Sequence, residues 1–475
     1  MPGETAYDEL RGHDELPTVD VAACLLRICR TRARELDRVL QRRHEAGAPY
    51  GPYLSAAEAI IVDHRDSLDP EFLHRRELEQ IVSLLAAAAE LEDLALRARD
   101  IATVLDVRRG GHFFSWFAGA RISRGSGDPI PVPPGDVVIE EKGTARGLTP
   151  APDAVDVPLS LAVPLDGMHH LRLCPDGIGK LEIVFDARYD GVVDALFSGH
   201  RIAAPGPDVI WASVIPSCAI ARELTYDLID NVEPPAFYRI RPLPSIAAAY
   251  RARLRRGLDI AAQHGASVIV LPELCCDAGI EEEIAAWFAA NRSVALLIAG
   301  SRHLEGAGEP RRNRARVMLR GMPSSERLIH DKFSNFSLEI GGVCRVELIE
   351  RPNLITIVAG RRWSFSPLIC KDMMEPAPRR VLIDLRARAV LVASMSPKTD
   401  LYVTSARAMA QEGQILVFVS NGPHESVDDV AIFAQPRRGD PPRTSEQAAE
   451  GVVAVIRTNG KIFELFRINA SLEES

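Results

Sequence analysis

The chain has 475 residues, 47% hydrophobic and 25% charged, enough for two or three domains and for a large core that needs no disulfide support. Its net charge of −9, from 56 basic and 65 acidic side chains, argues against nucleic acid as the main partner. Eight cysteines (24, 29, 174, 218, 275, 276, 344 and 370) show no CxxC spacing, so a zinc ribbon is not expected and reduced thiols in the cytoplasm fit best. No metal or cofactor is expected.

The opening MPGETAYDELRGHDELP is acidic and has no apolar core, so no secretory leader is expected. No apolar run approaches the roughly 18 residues of a membrane span. Leu25, Ile28, Cys29, Leu36, Val39 and Leu40 share one face at helical spacing. Leu78, Ile81, Val82, Leu85, Ala88 and Ala89 do the same, and SLLAAAAELEDLALRARDIATVL is strongly helix-forming. With a GPY turn and a DP pair between the helices, residues 1–107 read as a helical hairpin or small bundle.

The character then changes. RGGH, GSGDPIPVPPGD and LTPAP are turn and linker signals, and VPLSLAV, HHLRLC and KLEIVFDARY are short extended runs. Residues 108–205 therefore read as a small β-rich or irregular region, closed by the boundary stretch APGPD. His169 and His170 lack a nearby carboxylate pattern and read as a surface pair, not a metal site.

From 206 to 475 the rhythm is strand, helix, strand. VIWASVI is a strand, and IAAAYRARLRRGLDIAAQHG is an amphipathic helix closed by glycine. SVIVLPE, SVALLIAG, LITIVAG, FSPLIC, AVLVAS and ILVFVSN are unbroken apolar strands, which need cover on both faces. Helical patterns lie between them at 281–292, 375–387 and 401–412. The arginines at 311, 312, 314 and 316 read as a solvated basic loop.

Three polar residues fall at strand ends in this α/β region: Glu273 after SVIVLP, Lys332 in RLIHDKF, and Cys370 after FSPLI. Strand ends are where α/β sites are built. A thiol attacks well when a base takes its proton and a cation steadies the developing charge. A carboxylate in an apolar setting can be that base, and lysine can hold an oxyanion. Glu, Lys and Cys are thus a complete set for acyl transfer. Cys275 and Cys276 read as packing or pocket lining.

Residues 209–475 resemble the nitrilase, or carbon–nitrogen hydrolase, superfamily. The resemblance rests on four motifs in order: VIVLPE; IHDKF; Cys370 followed by Asp372 and Pro376; and AVLVASMSP, SARAMAQEGQ and ILVFVSN, with Arg407, Glu412 and Asn421. It implies an α-β-β-α four-layer sandwich that dimerises or forms a higher homo-oligomer. It implies Glu273 as general base, Lys332 as oxyanion stabiliser and Cys370 as nucleophile. The Lys371 backbone N–H would assist, and Glu339, seven residues after the lysine, would be an auxiliary carboxylate. Lys371 stands where an aromatic is frequent, no histidine follows Lys332, and an insertion-like segment, 218–245, separates the first strand from its helix.

The function implied is thiol-dependent hydrolysis of a small non-peptide C–N bond, an amide ahead of carbamoyl compounds and nitriles. The alternative is a catalytically idle binding or scaffold module that meets a protein partner through its N-terminal region.

Overall fold

The computed structural model describes residues 4–48, 51–61, 72–120, 130–132, 137–139, 171–173, 182–186, 188–198, 209–217, 223–304, 310–323, 327–350, 352, 354–359, 364–385, 387–396, 399–413, 415–422, 431–434, 451–457 and 463–467. They divide into two compact units, Met1–Thr144 with Ala151–Gly177, and Ala145–Pro150 with Ile178–Ser475. VPLSLAV, LTPAP, APGPD and the His169–His170 pair lie outside the described residues.

The first unit is built from helices α1 (Thr18–Thr31), α2 (Ala33–Glu45), α3 (Leu54–Ile60), α4 (Arg75–Ala86) and α5 (Leu91–Ala120). Short strands β1 (Glu15–Pro17) and β2 (Phe72–His74) pair antiparallel. Strand β3 (Ile130–Val132) follows, and β4 (Val137–Ile139) pairs antiparallel with β5 (Leu171–Leu173). The helical periodicity is realised: Leu25, Ile28, Leu36, Leu40, Leu78, Ile81 and Leu85 enter one core with Leu94, Ala98, Ile101 and Leu105. The run 83–105 is nevertheless two helices. The chain reverses at 87–90 so that the apolar faces of α4 and α5 enter the same core, and this outweighs alanine's helix propensity.

In the second unit, strand β6 (Glu182–Asp186) and helix α6 (Asp190–Ser198) precede β7 (Ile210–Ile215), β8 (Leu224–Ile229) and β9 (Ala236–Pro242). Helix α7 (Ala247–Gln263), β10 (Val268–Val270), α8 (Ala278–Ala290), β11 (Leu296–Leu304), β12 (Arg312–Leu319) and β13 (Leu328–Asp331) follow. Then come β14 (Ser337–Ile340), β15 (Val343–Glu347), β16 (Leu354–Ala359), β17 (Ser364–Ile369), α9 (Pro376–Asp384), β18 (Ala389–Ser394) and α10 (Thr399–Glu412). Strands β19 (Leu416–Asn421), β20 (Ala431–Ala434), β21 (Val452–Arg457) and β22 (Phe463–Arg467) complete it.

One mixed sheet runs β13-β12-β11-β10-β7-β21-β22, and a second runs β20-β19-β18-β17-β16-β6. They meet face to face: Trp211 of β7 packs on Phe418 and Phe433 at 5.5 and 5.7 Å between ring centres, and Ser213 Oγ and Ser420 Oγ hydrogen-bond at 2.7 Å. Helix α7 buries Tyr250, Leu254, Leu258 and Ala261 in a core shared with Ala212, Ile269 and Val453, while α8 adds Ile280, Ile284 and Trp287. Helix α10 buries Tyr402, Val403, Ala406, Met409 and Ala410 and packs on β19 and β20. The result is the expected α-β-β-α sandwich. Each fully buried aliphatic side chain contributes about 1.5–3 kcal/mol to it. Gly265, at φ +77°, ends α7 in the left-handed conformation that the closing glycine foretold.

The expected boundaries at 107 and 205 differ from this division. Helix α5 passes through RGGH because Arg109 is buried and anchored to Phe72 O at 3.0 Å and Glu77 at 2.8 Å, which offsets the glycines' cost. At the other end, β6 pairs parallel with β16 from Glu182–Leu354 to Asp186–Val358, so part of the middle region is an extension of the sandwich. Of the arginines expected in a solvated basic loop, Arg312, Arg314 and Arg316 lie on strand β12. Arg314 pairs with Asp331 and Arg316 lies by Glu281 and Glu282. The insertion-like segment forms hairpin β8–β9, which joins β15 and β14 in a small third sheet ordered β14-β15-β9-β8.

Candidate active site

Each expected residue of the triad stands just beyond a buried strand. After β10 the chain turns at Pro272, and the Glu273 N–H donates to Ser394 O of the facing sheet at 3.2 Å. Leu274 follows at φ +54°, its N–H held by Ser301 Oγ at 3.0 Å. The turn needs Gly300, itself at φ +73°: a Cβ there would stand 2.3 Å from Pro272 O and 2.4 Å from Cys275 Sγ.

Lys332 follows β13 and donates its N–H to Asn313 O at 2.8 Å. Cys370 follows β17 at φ +49°, opening a 3-10 turn over Cys370–Met373. A non-glycine residue held left-handed stores strain of about 1–3 kcal/mol, kept because the surroundings over-determine it. Asp372 supplies much of that restraint. Its Oδ2 accepts from the Ile369 N–H at 3.3 Å, and its Oδ1 accepts from the N–H groups of Phe333 and Ser334 at 3.3 and 3.0 Å. His330 Nε2 lies 3.2 Å from Oδ2. Asp372 thus clamps the cysteine turn to the lysine turn.

The three side chains converge. Lys332 Nζ donates to Glu273 Oε1 at 2.7 Å and to Glu347 Oε2 at 2.6 Å. Asn313 Nδ2 donates to both carboxylates, at 2.9 and 2.8 Å. The Cys370 Sγ lies 3.0 Å from the Tyr402 hydroxyl, and the Glu273 carboxylate is near enough to raise the thiol's pKa. Exposure is 3% at Glu273, 1% at Lys332 and 0% at Cys370.

Burial and surrounding charge set the proton distribution. Burial raises the Glu273 carboxyl despite the Lys332 charge, bringing it toward the working range of a base. Burial opposes ionisation of Glu347 too, but Lys332 and His303 outweigh it and hold that carboxyl down at about 2. Burial likewise opposes the charge on Lys332, yet Glu273 and Glu347 keep it well above the ordinary lysine value. Burial and the Glu273 carboxylate push the Cys370 thiol up to about 12. The resting site therefore holds Cys370 as a thiol.

Glu339 does not join this cluster. It faces solvent on β14, opposite Cys344, because the β14–β15 hairpin register turns it outward. The second carboxylate is Glu347, at the end of β15. The Lys371 side chain is half-exposed by Glu375, while its backbone sits in the turn after the thiol. Cys275 and Cys276 are buried, and Cys276 Sγ donates to Ala299 O at 2.7 Å, as packing residues do. Asn421 clasps Ser396 through both its N–H and C=O at 3.0 Å, a scaffold role. No group of three or more metal-ligating side chains occurs among the described residues, and none of their helices is long and apolar enough to cross a membrane.

Sequence reasoning also missed His303. Its Nδ1 accepts from the Ile240 N–H at 3.3 Å, so the ring hydrogen sits on Nε2 and is donated to Glu347 Oε1 at 2.9 Å. The Tyr238 ring lies against the imidazole, tilted by 30° with ring centres 4.6 Å apart. The inserted hairpin, which carries Tyr238 and Ile240, thereby orients Glu347 and through it Lys332. His303→Phe keeps an aromatic ring but leaves Glu347 without a donor and the Ile240 N–H buried and unpaired. It is expected to lower unfolding free energy by about 2 kcal/mol in urea titration. A change under about 0.5 kcal/mol would show that the imidazole carries no such restraint.

No family model matches the chain, and no curated protein matches it. Among solved structures it is similar to an amidase from Nesterenkonia sp. AN1, with 17% identity over 54% of this chain and 92% of that one and a TM-score of 0.37. That amidase carries the acetamide moiety of fluoroacetamide on its active-site cysteine. The chain is also similar to Saccharomyces cerevisiae Nit3, a member of branch 10 of the nitrilase superfamily (14% identity, 53% and 91% coverage, TM-score 0.38). A third is the glutamine-dependent NAD+ synthetase of Acinetobacter baumannii (15% identity, 56% and 49% coverage, TM-score 0.36).

Proposed function

We propose that the chain is a nitrilase-type thiol hydrolase that cleaves a small non-peptide C–N bond, an amide first among them. The observation that carries this reading is the buried junction of Glu273, Lys332 and Cys370, with the cysteine in a left-handed turn and the lysine braced by two carboxylates. The burial of all three favours small substrates over peptides.

In this reading Glu273 accepts the Cys370 proton as Sγ forms a bond to the amide carbon, and the carbonyl π electrons move to oxygen. Lys332 Nζ and the Lys371 backbone N–H hold that oxyanion. The tetrahedral adduct collapses, Glu273 returns the proton to the departing nitrogen, and ammonia or an amine leaves a thioester. Water then gives a proton to Glu273 and attacks the thioester carbon; the C–S electron pair returns to sulfur, which regains the proton from Glu273. Glu347 stays ionised and keeps Lys332 charged and placed. A homo-oligomer and a cytoplasmic setting belong to the same reading.

The idle-module alternative draws on the full burial and high pKa of Cys370. Intact-mass spectrometry and ammonia release across a panel of small amides and nitriles separate the two. Wild type is expected to form a mass adduct or release ammonia, with both lost in Cys370→Ala. A panel with no adduct and no ammonia would favour the module.

A further inference from the structure

We propose that Tyr402 is a catalytic residue whose phenol donates a hydrogen bond to the sulfur of Cys370 and stabilises it whenever it carries the electron pair. This rests on the thiol-hydrolase reading above.

Tyr402 lies on α10 with Ala406, Met409 and Ala410, a spacing that by itself marks a core stripe. A phenylalanine would fill that stripe as well. What sets the residue apart is the hydroxyl, 3.0 Å from Cys370 Sγ, on a side chain 1% exposed. A buried phenol needs a partner, and here the partner is the nucleophile.

The direction of the hydrogen bond follows from the other side of the sulfur. Cys370 has one hydrogen, and in the hydrolase reading it goes to Glu273, whose carboxylate is near enough to raise the thiol's pKa. With the S–H directed to Glu273, the phenol gives its own hydrogen to Sγ. A neutral thiol is a weak acceptor and a thiolate a strong one, so this bond tightens as charge develops. An interaction stronger in the transition state than in the ground state is the kind that raises rate. It acts twice, as the S–H proton moves to Glu273 and as the C–S electron pair returns to sulfur when water displaces the acyl group. The phenol keeps its proton throughout.

The test compares wild type, Tyr402→Phe and a chain carrying 3,5-difluorotyrosine at 402, a stronger donor of nearly the same shape. Two rates are read: alkylation of Cys370 by chloroacetamide, followed by peptide mass spectrometry between pH 7 and 9, and ammonia release from the best amide. Tyr402→Phe is expected to slow both by roughly 10- to 100-fold, the range for a hydrogen bond to a charged group, with its melting temperature close to wild type. The fluorinated chain is expected to alkylate at least as fast as wild type. Equal alkylation rates in wild type and Tyr402→Phe overturn the proposal. If Tyr402→Phe unfolds, a fluorinated chain slower than wild type overturns it instead. Alkylation that depends on residue 402 in a protein that releases no ammonia supports the hydrogen bond and overturns the hydrolase reading alone.

Discussion

Lys332→Met is expected to lower amide turnover by about 10³-fold, the scale of a lost oxyanion donor, and to destabilise the protein by about 3–5 kcal/mol. Both effects have one origin. Lys332 Nζ lies 2.7 Å from Glu273 and 2.6 Å from Glu347, all three almost completely buried. Methionine fills much of the lysine's volume but leaves two carboxylates facing each other without their cation. One of them must then take up a proton or open the site to water. If Glu273 takes it, the base is blocked as well. Ammonia release and chemical denaturation measure the two effects. The double variant Lys332→Met with Glu347→Gln distinguishes them: removing one charge is expected to recover most of the stability and none of the activity. Activity in Lys332→Met within tenfold of wild type would rule out Lys332 as the oxyanion partner.

The second large effect is on acid stability. Glu347 ionises at about 2 in the folded protein against an ordinary 4.5. A carboxyl depressed on folding contributes stability that is fully present above its unfolded pKa and is lost as pH falls through its folded one. For Glu347 that window runs from about 4.5 down to about 2, and its full size is about 3 kcal/mol. Glu273 acts in the opposite sense, because burial raises its pKa and its ionisation costs stability as pH rises. The comparison that isolates Glu347 is wild type against Glu347→Gln. The stability gap between them is expected to be widest above pH 5 and to shrink toward pH 2, measured by urea unfolding at each pH. A gap independent of pH between 2 and 5 would mean that Glu347 is not held ionised by Lys332 and His303.

Most core strands of the second unit, the helical character of the first, and the placing of Glu273, Lys332 and Cys370 just beyond strands were legible in the sequence. They are written in local patterns: unbroken apolar runs for strands covered on both faces, helical periodicity for α1, α4 and α7, and a polar residue at the end of each of three runs. Asp372, which the sequence offers only as part of the cysteine motif, holds the Cys370 turn through a contact that begins three residues away at Ile369.

Other features depended on pairing between distant segments. Glu339 and Glu347 are both carboxylates soon after Lys332. Only the alternation of the β14–β15 hairpin and the pairing of β15 with β9 turn the first to solvent and bring the second to the lysine. His303 and Tyr402 looked like ordinary strand and helix residues, since their partners lie 44 and 32 positions away. The break at 87–90 inside the helix-forming run 83–105, and the helix through RGGH, depend on the α4–α5 core and the Arg109 anchor, which are tertiary. The sequence by itself determined which elements form and which three residues end them, since those follow from neighbours along the chain. The tertiary structure alone decided the second carboxylate, the imidazole behind it, the phenol near the sulfur and the raised pKa values of Glu273 and Cys370. Each of these depends on burial and on groups brought together from across two sheets, which no local spacing encodes.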